Sequence, residues 1–260
     1  MSRTRLSAAA FAAEPSFVSK QMTPYTLSGI VTPSDETVLW RYLDLEKLLA
    51  LLESRTLFLC RLDKFRDKWE GTWPDTFLNS LVSRIPEERA KQFLSTSDAL
   101  RSVHFVSCWH ASKYESAALW DQYSRGSGVA LRSSVGRLRG AVTGSYRFII
   151  GEVEYIDFAA ELPAKLHPVI PVFRKRKSFE HEREVRLLVS NMKLNGDDVD
   201  WNDPFDAIHL GVNIGMLVES VFVSPEAPKW LVAAIAGVLR AFDHGAIPVN
   251  ASELYDARVK

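Results

Sequence analysis

The sequence predicts an α+β fold, with a mixed, largely antiparallel sheet and flanking helices. Three observations carry this. Short β-branched and aromatic runs recur along the chain, as in Val38–Leu43, Thr56–Arg61 and Val103–Trp109. Between them stand amphipathic stripes, of which Leu45, Leu48, Leu49 and Leu52 at i, i+3, i+4 and i+7 are the clearest. The two kinds of segment do not alternate in the βαβ rhythm that a parallel sheet requires.

Taken in order, residues 1–33 show no sustained period and hold Pro15, Pro24 and Pro33, so they read as an N-terminal extension. A single domain is expected over 34–260. Val38–Leu43 opens it as a strand, and Asp44 is placed to cap the helix that follows. Thr56–Arg61 is the next strand and runs into a charged loop, Asp63–Gly71. Residues 74–100 read as two helices split near Pro86, followed by a strand at 103–109 and a short helix at 115–123. Further strands are expected at 129–132, 147–158, 182–190 and 219–223, with a Pro-containing connection over 163–172. Ser224-Pro225 reads as the start of the last helix, with Trp230, Leu231, Ile235, Leu239 and Phe242 on its buried face, and 246–249 as a final short strand.

Composition narrows the function classes. Of 260 residues, 47% are hydrophobic and 25% charged, the balance of an ordinary globular chain. Lys plus Arg and Asp plus Glu both number 32, which argues against a protein whose main task is to wrap nucleic acid or coat an anionic membrane. No apolar run approaches the roughly 18 residues of a membrane span. The two cysteines, Cys60 and Cys108, sit in apolar strand-like runs and read as buried thiols, not as a disulfide framework. Arg3, Arg5 and the alanine-rich stretch up to Ala13 form a poor signal peptide, so a cytoplasmic protein is expected.

Five features bear on chemistry. In Glu182-Arg183-Glu184 on a strand, the two carboxylates would share a face with Arg186, about 7 Å apart. Such a pair suits gripping sugar hydroxyls, stabilising a cationic centre or accepting a proton, and equally a solvated strand end. Arg41, between Trp40 and Tyr42, can fork onto a phosphate or carboxylate, or stand as an exposed Arg flanked by packing aromatics. Ser107-Cys108-Trp109-His110 juxtaposes a Ser and a His, but no nucleophile elbow surrounds Ser107. Gly126-Ser127-Gly128 can present N–H groups to an anion but lacks the Walker lysine and the dinucleotide glycine spacing. Arg174-Lys175-Arg176-Lys177 could meet phosphates, including those of nucleic acid; an isolated charge run more often faces water. Metal spacing is weak: Asp63, Asp67 and Glu70 could join Glu182 and Glu184 around Mg²⁺, but nothing demands it.

In order, L-W-R-Y, D-K-F-x-D-x-W-E-G, V-S-C-W-H with E-S-A-A-L-W, K-R-K-S-F-E-H-E-R-E-V-R-L-L and V-S-P-x-A-P-x-W run from Leu39 to Trp230. Together they resemble an uncharacterised bacterial family known as domain of unknown function 2971. The organisation is also similar, at a distance, to ADP-ribosyltransferase-like proteins. Those place an Arg or His on an early strand, a Ser or Tyr on a middle strand and a Glu, often as E-x-E, on a later one. The matching positions are Arg41, Ser107 and Glu184 with Glu182; the middle motif departs, reading Ser-Cys-Trp where the superfamily has Ser-Thr-Ser.

That resemblance implies NAD as the ligand and catalytic roles for Glu184, Glu182, Arg41 and Ser107. It gives Glu184 the ribose 2′-hydroxyl or the acceptor, and Arg41 the pyrophosphate or ribose. Tyr42 or Trp109 is left to stack on nicotinamide, with Arg174 and Lys175 as further binding residues, in a phage-defence or toxin-type effector. Glu184 is expected to be the more buried carboxylate of the pair. Two other readings stand beside it: a metal-dependent phosphodiester hydrolase, and a binding module without catalysis. The partner implied is a nucleotide-like small molecule.

Overall fold

The computed structural model describes residues 24–124, 127–144, 147–159, 167–191 and 206–256. In chain order these form β1 (Val38–Leu43), α1 (Leu45–Ser54), β2 (Thr56–Arg61), α2 (Asp75–Val82), α3 (Glu87–Leu100), β3 (His104–Ala111), α4 (Ala117–Tyr123), β4 (Val129–Ser134) and α5 (Val135–Ala141). There follow β5 (Phe148–Glu152), β6 (Glu154–Ile156), β7 (Arg174–Arg176), β8 (Glu184–Ser190), β9 (Ala207–Gly211), α6 (Ile214–Leu217), β10 (Ser220–Val223), α7 (Trp230–Ala241) and β11 (Val249–Ala251). The fold is α+β with a mixed, mostly antiparallel sheet.

Local chemistry explains most of the boundaries. Asp44 caps α1 by accepting from the Lys47 N–H at 2.9 Å, and Ser134 and Asn213 do the same for α5 and α6. Pro74 and Pro86 stand just before α2 and α3, where a missing N–H costs nothing. Three expectations are corrected. The strand over 147–158 divides at Val153, whose N–H turns to Glu184 O, so β5 joins the large sheet and β6 pairs with β7. Ser224-Pro225 does not start the last helix, which begins at Trp230 after a turn. The final strand lies at 249–251, not 246–249. Of the 163–172 connection, 163–166 lies outside the described residues, and Ile170–Phe173 is a 3-10 turn. Residues 24–30 lie against the sheet: Tyr25 N–H bonds Phe148 O, and Leu27 and Ile30 pack on its second face.

The large sheet has nine strands. Its order is β11-β10-β4-β1-β3-β2-β9, with β8 on the other edge of β3 and β5 beyond it. One edge of β3 therefore serves both β1 and β2. Trp40 pairs with His110 and Leu39 with Ala111, whereas Cys60 pairs with Val106 and Arg61 with Phe105. Ser107, Cys108 and Trp109 have a strand partner only on the β8 side. The sheet thus forks along β3, with β1 and its neighbours leaving one way and β2 with β9 the other.

Cross-strand partners share a face, so the register sorts the side chains. The first face carries the main core, with Leu39, Leu59, Phe105, Trp109, Leu131 and Leu187 packed beneath α1, α5 and α7. The second face carries two smaller clusters. Val106, Ile149 and Leu188 pack with Val172 and Phe173, and Trp40, Tyr42 and Ala130 pack with Leu119 and Trp120 of α4. Every helix among the described residues is too short or too polar to cross a membrane.

Candidate functional site at the sheet fork

The fork opens into a cleft of about 910 Å³, within the range of roughly 300–1,000 Å³ usual for small-molecule sites. Its floor is the fork itself. Arg41 Nη1 donates to Ser107 Oγ at 2.5 Å and Nη2 to the Phe58 carbonyl at 3.2 Å, so the guanidinium ties β1 to β2 and β3 where strand pairing stops. Trp109 lies under the guanidinium, 5.5 Å from ring centroid to Cζ, and its Nε1 also donates to Ser107 Oγ at 3.1 Å. Among the described residues Arg41 has no carboxylate partner. Burial pulls Arg41 down to about 10, with only a partial offset from Cys108.

One wall is an ion network. Lys175 Nζ on β7 contacts Glu70 Oε1 at 3.0 Å, Glu184 Oε1 at 2.8 Å and Glu182 Oε2. Arg186 on β8 contacts Glu184 Oε2 at 2.6 Å, Glu70 Oε2 at 2.7 Å and the Val172 carbonyl at 2.6 Å. All five side chains are buried, Arg186 completely. Three carboxylates meet two cations, and the imbalance falls on Glu182. Burial and then the hydrogen bond to Glu184 push its carboxyl well above the usual range. Glu184, gripped by Arg186 and Lys175 on separate oxygens, is held below that range despite its burial. Burial and then Glu184 push the Cys108 thiol far up, so it is an inert thiol in this wall.

The pair of glutamates reaches this arrangement by a route that alternation along a strand did not foresee. Glu182 ends a 3-10 turn, Lys177–Glu182, and Arg183 takes a left-handed φ of 42° before β8 begins at Glu184. The turn, not the pleat, brings the carboxylates together. His110 Nδ1 donates to the Glu182 carbonyl at 2.7 Å and fixes that turn from β3. Both carboxylates are buried to nearly the same degree, Glu184 8% exposed and Glu182 5%.

Other expected residues fall as follows. Arg41, Tyr42, Trp109, Lys175, Glu182 and Glu184 line the cleft. Ser107 stands behind Arg41 on the first-face side of the sheet, and Arg174 points away to Glu154 at 2.9 Å. Trp109 is not a free stacking surface, because it is 1% exposed with Arg41 on its ring. Tyr42 accepts the Ser116 N–H and packs edge-on against Trp120, which leaves it a rim and not a platform. The basic run is not a solvated turn. Its first three residues form β7, with Lys175 7% exposed, Arg174 paired to Glu154 and Arg176 to Asp67, and the exposed Lys177 opens the 3-10 turn that follows. Arg125 and Gly126 of the glycine turn lie outside the described residues.

Three cleft residues were not singled out from the sequence in these roles. Glu70 was read only with a metal in mind, and Tyr123 and Phe179 only as the first residues of the runs Tyr123–Gly128 and Phe179–Val189, with no role of their own. The acids do gather, but around Lys175 and Arg186; among the described residues no three His, Cys, Asp or Glu side chains are set to hold a metal ion. Comparison with family models, curated proteins and solved structures gives no match for this chain.

Proposed function

We propose that the fork cleft binds a nucleotide-like anionic ligand, NAD in the reading favoured by the ADP-ribosyltransferase-like order of Arg41, Ser107 and Glu184, and cleaves its nicotinamide–ribose bond. The observation that carries this is Arg41. Arg41 is half-buried and, among the described residues, has no carboxylate to offset its charge, so its desolvation is a cost that an anionic ligand would relieve. A guanidinium at the floor of an open cleft, with N–H groups left over after Ser107 and Phe58, is shaped for a phosphate. The cleft is of a size for such a ligand, with a titratable carboxyl on its wall.

The chemistry divides between the two glutamates. Cleavage breaks the C1′–N bond, and the electron pair goes to the nicotinamide nitrogen, which becomes neutral. Positive charge builds on the ribose meanwhile, and a carboxylate nearby is worth most at that moment. A water or acceptor hydroxyl then bonds to C1′, and its proton passes to a base. Glu182, with its raised carboxyl, suits that base; Glu184, with both oxygens engaged, suits holding Lys175 and Glu182 in place. This reverses the roles expected from the sequence.

Nicotinamide release from NAD tests the reading. Wild-type protein is expected to release it, and Glu182→Gln, folded by circular dichroism, to be slower by about 100-fold or more. Equal rates would remove Glu182 from the reaction. One observation favours the second reading, a binding module without catalysis: every acid of the wall already touches a cation. That reading gains if the wild type binds ADP-ribose but releases no nicotinamide with any acceptor.

A further inference from the structure

The ion network contains one residue that the nucleotide reading of the cleft does not use. Glu70, from the charged loop before α2, is 2% exposed and places one oxygen on Lys175 and the other on Arg186. It reaches neither Glu182 nor Glu184 directly; it binds the two cations that do. Without it, two cations would face two carboxylates and the wall would be neutral with both glutamates ionised. With it, three negative charges face two positive ones.

We propose that Glu70 is a positioning residue of the cleft: by claiming part of Lys175 and Arg186 it leaves the Glu182–Glu184 pair short of positive charge, so that the pair binds a proton more tightly. This rests on the reading of Glu182 as the base and deepens it, since it names what strengthens that base. The neighbours agree. Around Glu182 stand Lys175 from β7, Glu184 and Arg186 from β8, Tyr123 from α4, Tyr155 from β6, and Cys108 and His110 from β3. His181 and Arg183 flank it in the chain. The tyrosines and Cys108 are all held neutral, pushed up by burial, and His110 is pushed down by burial, so none of these supplies the missing charge. Lys175 and Arg186 are the cations in contact with the pair, and Glu70 touches both.

The test is a carboxyl carbon-13 NMR titration of the ligand-free full chain labelled at glutamate, with the Glu182 resonance assigned by its loss in Glu182→Gln. The wild type is expected to show this carboxyl titrating well above the ordinary range. Glu70→Gln removes the competing charge and should lower the midpoint by about one pH unit or more, a tenfold loss of proton affinity. Glu70→Asp keeps the charge and should stay near the wild type. An unchanged midpoint in Glu70→Gln overturns the proposal. Should Glu70→Gln fail to fold, Glu70→Asp decides, because a midpoint falling with the charge retained overturns it equally. No substrate enters this titration, so a wild type that releases no nicotinamide sinks the reaction while leaving the role of Glu70 to be decided here.

Discussion

Ser107 Oγ receives two donors, Arg41 Nη1 and Trp109 Nε1, which occupy the lone pairs a nucleophile would need. His110, its neighbour in sequence, points to the other face of β3 and donates to the Glu182 carbonyl. Ser107 therefore acts through Arg41. Ser107→Ala should weaken ADP-ribose binding by about tenfold, the worth of one hydrogen bond to a charged group, and trap no covalent intermediate with NAD. Undiminished affinity in a calorimetric titration, or a covalent adduct by mass spectrometry in the wild type alone, would contradict this. Arg41 was legible from the sequence as a cation between two aromatics, but that no carboxylate among the described residues meets it is a property of three strands at once and could not be read from one.

At the scale of elements, the run Arg174–Lys177 shows what local reading misses. Four basic residues in a row look solvated, yet β7 pairs with β6 and turns Lys175 inward while Arg174 and Arg176 take separate acids. The two adjacent residues should respond differently to truncation. Lys175→Ala leaves Glu182 without its cation and Arg186 alone to face Glu70 and Glu184, and should cost about 3–5 kcal/mol. Arg174→Ala loses a pair whose partner Glu154 is 58% exposed and should cost about 1 kcal/mol or less. Urea unfolding of the two variants checks this, and equal losses would mean that Lys175 is not the hub of the network. Elements with a strong local signal were placed well: β1, α1 and β2 follow from apolar pattern and the Asp44 cap. Those set by distant partners were not. Val153 breaks a strand to bond Glu184 O, and Glu182 leaves β8 because Arg183 turns left-handed.

For the whole molecule, α+β with a mostly antiparallel sheet could be read from the irregular order of strand-like and helical runs. The fork could not, because it depends on β1 and β2 sharing one edge of β3. Stability should follow pH through groups far from the cleft as well as within it. His104 is buried on β3 against Ser190, and burial lowers it from 6.5 to about 4. Its folded form stays neutral while the unfolded chain takes up a proton below about 6.5. Stability is therefore lost as pH falls from about 6.5 to about 4, by roughly 3 kcal/mol in all. Glu182, raised in the fold, contributes with the opposite sign, losing stability as pH rises above the ordinary carboxylate range. Denaturant midpoints for wild type and His104→Gln at pH 7 and pH 4.5 isolate the histidine, and an identical pH dependence in both would count against its neutrality in the fold.

The proposed ligand site rests on Arg41, a guanidinium with no carboxylate partner among the described residues. Calorimetric titration of ADP-ribose into wild type and Arg41→Ala, both checked for folding, tests it most directly. Binding by the wild type that falls by tenfold or more in Arg41→Ala is the predicted result. Binding of equal strength to both proteins, or none to the wild type, would contradict it.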